Sequence, residues 1–245
     1  MNIALIGYGR IGRVIEKYAV SRGHSIALII DKDNLDDLNH HNLRSIDAAI
    51  EFSVPEAALS NIKACLGENV SVVSGTTGWL GDFDEAVSAT KSSKAAFLYA
   101  SNFSIGVNIM FYLNARLSEL MNDRPEYRPM IEEIHHIKKL DAPSGTAISL
   151  ARGIIEKNNS LSGWEGQDME GDQDGAVQAA IIPVKSKRIG DVPGTHRVSW
   201  ISDIDSLSLM HEAKGRDGFA LGAVLAAEFI RGKRGVFTMK DMLGF

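Results

Sequence analysis

The chain has 245 residues, 44% of them hydrophobic, with a formal net charge of −5 and a single cysteine, Cys65. That length is long for one core and short for two independent ones, so two interleaved lobes are expected. The acidic balance argues against a nucleic-acid partner, which calls for a basic footprint. No apolar run nears the ~20 residues of a membrane span, and a lone cysteine forms no internal disulfide.

The first residues enter a strand with no charged leader before it, so the expected compartment is the cytoplasm. Residues 2–6 are an apolar run that breaks at Gly7, and Gly7, Gly9 and Gly12 then stand at G-x-G-x-x-G spacing. A helix continues to about Arg22, and residues 25–30 form a second strand ending at Asp31. Strand, glycine turn, helix, strand, then an acid roughly 20 positions on is the pattern of a dinucleotide site. Gly7 permits the tight turn, Gly9 lets a pyrophosphate approach the backbone, and Gly12 lets helix and strand pack closely. Asp31 suits the ribose hydroxyls of NADH. Lys32 beside it suits the 2′-phosphate of NADPH, so both cofactors stay open.

Residues 34–44 read as a polar loop. A third strand, 48–52, ends in EFSVP, and Pro55 opens a helix through Leu66 that carries Cys65 on its apolar side as a buried thiol. A fourth strand, 70–73, runs into Ser74–Gly78, SGTTG, where small residues at a strand end mark a ligand. A helix over 83–93 and a fifth strand over 95–100 follow, the latter ending in SNFS, Ser101–Ser104. Strands alternating with helices imply a parallel sheet with right-handed crossovers.

After Gly106 the pattern changes to a long helix, 107–121, and a strand, 127–136. On that strand Ile131, Glu133 and His135 share one face, and Met130, Ile134 and His136 the other. The chain then presents Lys138, Lys139 and Asp141, and Pro143 suits the first turn of a helix on which Ala147, Leu150, Ala151 and Ile154 recur at helical spacing. Free N–H groups at Ser144, Gly145 and Thr146 would favour an anion, Lys139 adds a full charge, and an imidazole at 135 or 136 exchanges a proton near neutral pH. Residues 158–175 read as a long exposed loop. Three stretches, 176–184, 195–201 and 207–211, alternate like antiparallel strands, with Arg188, Gly190 and His196 in the turns between them. A last helix over 219–231 can return to the first lobe.

With the glycine loop, the GTTG turn and HHIKKLDAPSGTA in view, the chain resembles the 4-hydroxy-tetrahydrodipicolinate reductase (dihydrodipicolinate reductase) family over essentially its full length. The resemblance implies an α/β architecture. A Rossmann-type parallel sheet domain (1–104 and 217–245) carries an inserted α+β domain with an open mixed sheet (105–216), which binds substrate and mediates a homotetramer. It implies that Gly7, Gly9, Arg10, Ile11 and Gly12 hold the cofactor pyrophosphate and that Asp31 and Lys32 hold the adenosine ribose. Gly75, Thr76, Thr77 and Gly78, with Ser101, Asn102 and Phe103, would line the nicotinamide. His135 would be the proton donor, Lys139 a catalytic and substrate-binding cation, and His136, Ser144, Gly145 and Thr146 substrate-binding groups. The substrate implied is a cyclic imine with two carboxylates, reduced at ring C4 in the diaminopimelate route to lysine. The lobes would close about hinges near 104–106 and 214–218, where Lys214 and Arg216 either reach substrate or, the preferred reading, stand as solvated cations.

Three departures stand out. The glycine loop is one residue shorter than in many members, Glu51-Phe52-Ser53 replaces the usual Asp-Phe-Thr, and Gly194-Thr195-His196 replaces Gly-Glu-His. No metal set is expected, since neither His40-His41 nor His135-His136 offers closed ligand spacing. Two rival readings are another two-lobed nicotinamide dehydrogenase and a non-enzymatic NAD(P) sensor. The mid-helix position of Cys65 opposes a cysteine-nucleophile aldehyde dehydrogenase, and a sensor has no need of a His-Lys-helix-start constellation.

Overall fold

The computed structural model describes residues 1–168 and 180–245. The chain forms two compact units: Met1–Ile105 with Arg216–Phe245, and Gly106–Gly215.

The first unit is built on a six-stranded parallel sheet. Its strands are β1 (Asn2–Ile6), β2 (Ser25–Ile30), β3 (Ala48–Glu51), β4 (Ser71–Ser74), β5 (Ala96–Tyr99) and β11 (Gly235–Phe237), ordered β11-β5-β4-β3-β1-β2. The strands are apolar on both faces because helices cover both. Ile3 and Leu5 pack with α1 (Arg10–Ser21) and α7 (Asp217–Ile230), while Ala4 and Ile6 share a core with residues of α3 (Pro55–Gly67) and α4 (Phe83–Ser92). Cys65 of α3 lies in that second core, and burial pushes its thiol up to about 12. Helix α7 is apolar nearly all round and rich in small residues, so it lies close beneath the sheet. A Cβ at Gly222 would fall 1.8 Å from the carbonyl oxygen of Phe103.

The second unit holds a mixed sheet ordered β10-β9-β6-β8-β7, from β6 (Arg128–His135), β7 (Gly163–Asp168), β8 (Ile181–Arg188), β9 (Thr195–Ile201) and β10 (Ser206–Glu212). Strand β6 lies at the centre and buries every second residue: Pro129, Ile131, Glu133 and His135. That face packs on α6 (Gly145–Lys157) through Ala147, Leu150, Ala151 and Ile154, and on Met110 of α5 (Ile105–Leu120). Two buried polar side chains tie the helices together: Asn114 Nδ2 donates to the Leu150 carbonyl at 3.0 Å and Ser118 Oγ to that of Ile154 at 2.9 Å.

Several sequence expectations need correction. Residues 34–44 are not all loop, since they include a 3₁₀ turn at Leu35–Asp37 and a short helix, α2 (His40–Leu43). Residues 158–175 are not one loop, because GWEGQD forms β7, parallel to β8; the strand has no apolar alternation to announce it. Strand β8 begins at Ile181 and runs parallel to β6, not antiparallel, while 176–179 lie outside the described residues. His196 belongs to β9 and Arg188 ends β8, so neither sits in a turn. Strand β11 and helix α8 (Met239–Leu243) follow the last expected helix; the sequence reading did not mark them. Among the described residues no helix is long and apolar enough to cross a membrane.

Candidate active site

In the first unit the loops after β1, β3 and β4 enclose a cleft of about 550 Å³. It sits where neighbouring strands send their crossovers to opposite faces, the usual ligand position on such a sheet. Gly7 has φ +90°, and a Cβ there would meet the Phe52 carbonyl oxygen at 2.1 Å; one at Gly12 would meet the Gly7 oxygen at 2.4 Å. A Cβ at Gly9 would meet nothing within 4 Å. The three glycines thus divide the work into tight turn, open approach and close packing. Gly9 is also the N-cap of α1 and supplies no side-chain cap, so the helix start faces the cleft with backbone donors. Arg10 and Ile11 line it, as do Gly75, Thr76 and Thr77 and, from the start of α7, Arg216.

Beneath this cleft lies Glu51, fully buried. Its carboxylate accepts from Ser74 Oγ at 2.7 Å, Thr76 Oγ1 at 2.9 Å, the Ser53 amide at 3.0 Å and the Ser53 hydroxyl. Glu51 therefore fixes two residues of the cleft wall, Ser53 and Thr76. Gly78 follows at φ +88°. Asp31 and Lys32 are exposed at the end of β2, with Asp31 Oδ1 accepting from the Lys32 amide at 2.9 Å. Phe103, expected beside the nicotinamide, is not among the residues lining this cleft. It is buried against Phe52, centroids 5.5 Å apart, and among α7 residues. Ser101 is exposed and Asn102 half-buried, its Oδ1 accepting from the Ser104 amide.

In the second unit the sheet register sets Glu133 of β6 level with Ser186 of β8 and His196 of β9, and His196 level with His211 of β10. Glu133 is fully buried. Both its oxygens accept from the Ser144 amide at 3.1 Å, and Oε1 also accepts from Ser186 Oγ at 2.8 Å and Arg188 Nη2 at 3.1 Å. Oε2 lies 3.4 Å from His135 Nδ1 and 3.7 Å from His196 Nε2. Burial opposes the charge on Glu133, but contacts from His135, His196, Ser144 and Ser186 outweigh it and hold the carboxyl well below the usual carboxylate range. Burial pushes His196 and His211 below the ordinary imidazole value, with Glu133 pulling His196 the other way.

The helix start differs from the expectation of free amides and of Pro143 in the first turn. Helix α6 begins at Gly145, with Ser144 as its N-cap, so Pro143 lies outside it, after a cis peptide. The Ser144 amide donates to Glu133, and its hydroxyl contacts His196 Nε2 at 3.0 Å and accepts from the Ala147 amide. Ser144 is a buried strut, which leaves Gly145 and Thr146 at the exposed end; a Cβ at Gly145 would meet nothing within 4 Å. Lys139 is not a lone cation, because both Asp141 oxygens accept from its ammonium at 2.8 Å, and that bond holds the Asp141 carboxyl below its ordinary value. His136 is half-buried just past β6.

Ligand atoms of Glu133, His135 and His196 lie within 4.8 Å of one another, a cluster the reading of adjacent histidine pairs did not find. Its members are more than 60 residues apart at the extremes and only the sheet register brings them together. A guanidinium, an amide and a hydroxyl already donate to the carboxylate, chiefly to Oε1, so it acts as a hydrogen-bond hub.

Residues 1–103 match the family model described as dihydrodipicolinate reductase, N-terminus, and residues 106–243 match its C-terminus counterpart. The chain belongs to the dihydrodipicolinate reductase family. A 4-hydroxy-tetrahydrodipicolinate reductase of Christiangramia forsetii is 49% identical over 99% of this chain and 98% of its own length. One of Neisseria meningitidis serogroup B is 33% identical over 93% and 81%. Among solved structures, a dipicolinate-bound dihydrodipicolinate reductase from Paenisporosarcina sp. TG-14 superposes with a TM-score of 0.79 over 97% of both chains, at 22% identity, which supports the shared fold.

Family membership makes the chain an oxidoreductase with a nucleotide-binding first unit. It also sharpens what sequence reasoning missed in this dihydrodipicolinate reductase family member. Arg216, read as a solvated cation with a substrate contact as the alternative, lines the glycine-loop cleft. Arg188, read as a turn residue, reaches Glu133 and the Asp141 carbonyl at 2.5 Å, tying the Lys139–Asp141 loop to the sheet. Only its place at the end of an apolar alternation, level with His135, would have marked it beforehand.

Proposed function

We propose that the protein reduces dihydrodipicolinate, formed from 4-hydroxy-tetrahydrodipicolinate, to tetrahydrodipicolinate in the diaminopimelate route of lysine biosynthesis, with NADH or NADPH. The observation that carries this is the end-to-end identity of 49% with a relative of that activity. The glycine-loop cleft fits the cofactor: Gly9 leaves its backbone open, and Arg10 and Arg216 bring positive charge for a pyrophosphate. Asp31 and Lys32 take the ribose end, and Thr76 and Thr77 border the nicotinamide.

A reduced nicotinamide held there would supply the hydride that adds to C4 of the conjugated ring. His135 delivers the balancing proton at the neighbouring carbon or nitrogen that receives the displaced electron pair. Gly145 and Thr146 seat one carboxylate at the start of α6, where the backbone dipole favours an anion. Lys139 exchanges Asp141 for a substrate carboxylate and steadies the negative charge that develops. The protein's share is orientation and electrostatics. The enzyme acts in the cytoplasm as a homotetramer assembled through the second unit.

The test is NADH and NADPH oxidation with freshly made dihydrodipicolinate, against simple 2-keto acids and aldehydes. Turnover confined to dihydrodipicolinate is expected. Turnover only with a keto acid or aldehyde would favour the rival dehydrogenase reading, and cofactor binding without any turnover the sensor.

A further inference from the structure

The hub around Glu133 has no part in hydride delivery, yet it touches the machinery on two sides. His135 lies two positions along the same buried face of β6, and Ser144, which starts α6, donates its amide to both Glu133 oxygens at 3.1 Å. We propose that Glu133 is a positioning residue. Its carboxylate holds the Nδ1 edge of His135, so that Nε2 carries the transferable proton, and it locks the start of α6 to the same point.

Four observations carry this. Glu133 is fully buried, and a buried carboxylate with no polar partner is costly, so its donors are tightly specified. Arg188 is the full positive charge that compensates it, at 3.1 Å on Oε1, so among the described residues Oε2 takes only the Ser144 amide and faces the imidazoles. His135 Nδ1 is buried and finds no aligned hydrogen-bond partner among the described residues; Glu133 Oε2 at 3.4 Å is the nearby acceptor, just outside a hydrogen bond and within reach of a small ring rotation. On the opposite edge, a Cβ at Gly194, whose φ is +155°, would sit 3.1 Å from His135 Nε2, so a bare backbone keeps room at that nitrogen. One edge of the ring faces a carboxylate and the other faces the bare backbone of Gly194.

An acceptor on Nδ1 selects the Nδ1–H tautomer of the neutral ring. After the Nε2 proton has gone to substrate, the ring is left in the form that takes a proton back at the same nitrogen. His196 faces the same Glu133 oxygen from β9 at 3.7 Å, with its Nε2 on the Ser144 hydroxyl, and His211 stands behind it on β10. Arg188 and, at longer range, the Asp141 carboxylate also face Glu133, and among the described residues none of these groups places an acceptor on His135 Nδ1.

This rests on His135 as the proton donor, and the test separates the two ideas. Glu133→Gln in the full-length enzyme should lower kcat at least ~10-fold, since a carboxylate that holds an imidazole tautomer can be worth up to ~10⁴-fold. The cofactor Kd should stay unchanged. Because its effect on the chemical step runs through His135, adding Glu133→Gln to His135→Gln should cost less than about 2-fold more in kcat, with loss of the α6 anchor showing in KM. Equal losses in both backgrounds would overturn the proposal. Should Glu133→Gln not fold, ¹⁵N NMR of histidine-labelled wild-type enzyme decides, with His135→Gln identifying the signal. A neutral His135 protonated at Nδ1 supports the proposal, and one protonated at Nε2 overturns it. That spectrum needs no turnover, so it stands even if the substrate assigned above is wrong.

Discussion

At the scale of the residue, the candidate chemistry turns on how His135 and Lys139 are partnered. His135 is 8% exposed, with its ring 5.0 Å from that of His196, so packing confines it to small rotations. Replacing it with Gln keeps much of the volume and removes the exchangeable proton. His135→Gln should therefore lower kcat by ~10²–10⁴-fold. The Kd for NADH or NADPH, measured by fluorescence titration, should not move, because the cleft's lining belongs to the other unit. An unchanged kcat would remove His135 from the acid role. Lys139 differs because its charge is already shared with Asp141. Lys139→Ala both deletes a cation and leaves the Asp141 carboxylate unpaired where the proposed substrate carboxylate would bind. Both KM and kcat should worsen, with kcat/KM falling ~10-fold or more, in line with loss of a charge-assisted contact. A rise in KM alone would make Lys139 a binding residue only.

At the scale of the element, the C-terminal helix α7 shows how a distant segment is fastened to the first unit. Glu228 of α7 takes a two-pronged bond from Arg22 at 2.8 Å, at the end of α1, and a third contact from His24 at 2.7 Å, just before β2. The Arg22 bonds hold the Glu228 carboxyl below its ordinary value. The cluster is partly exposed, so solvent screens it and its worth is about 1 kcal/mol. Glu228→Gln should lower the Tm by about 2–4 °C, with the loss vanishing at acid pH where the wild-type carboxylate is itself protonated. A loss that persists there would trace to packing instead. The tether pairs residues some 200 positions apart, and no periodicity in either segment announces it. Helix α7 itself was legible, since an apolar run at helical spacing has few other fates. So were β1, β2 and β9, whose alternation or apolar runs end at clear breakers. Strand β7 was not, because a polar GWEGQD becomes a strand only by adding to the edge of a sheet already formed at β8. The glycine loop and the HHIKK–PSGTA run were readable because the chemistry is local. Glu133, Arg188 and His196 were not recognised as one cluster because they meet only through cross-strand register.

At the scale of the whole molecule, the two units carry their buried ionisable groups unequally. Two imidazoles, His196 and His211, are pushed by burial below the ordinary value of 6.5, and both lie in the second unit beside or behind Glu133. A ring whose folded value is depressed binds protons more readily in the unfolded chain. The stability linked to it is fully present above about 6.5 and is lost as pH falls through the folded value. Carboxylates with depressed values, Glu133 and Asp141 in the second unit and Glu228 and Asp241 in the first, follow the same sign but act only below their ordinary values of 4.5 and 3.8. Between about pH 6.5 and 5, the depressed imidazoles therefore weaken the second unit alone. Opening free energies from hydrogen exchange, corrected for intrinsic pH effects, should fall for amides of β6 and β9 across that window and stay level for β1 and β3. Two units joined by only two chain crossings need not unfold as one, so the difference should be measurable. Replacing His196 by Gln, which cannot charge, should flatten the fall in β6 and β9. Parallel loss in both sheets, or loss in β1 and β3 first, would mean that acid sensitivity arises elsewhere than at the Glu133 hub.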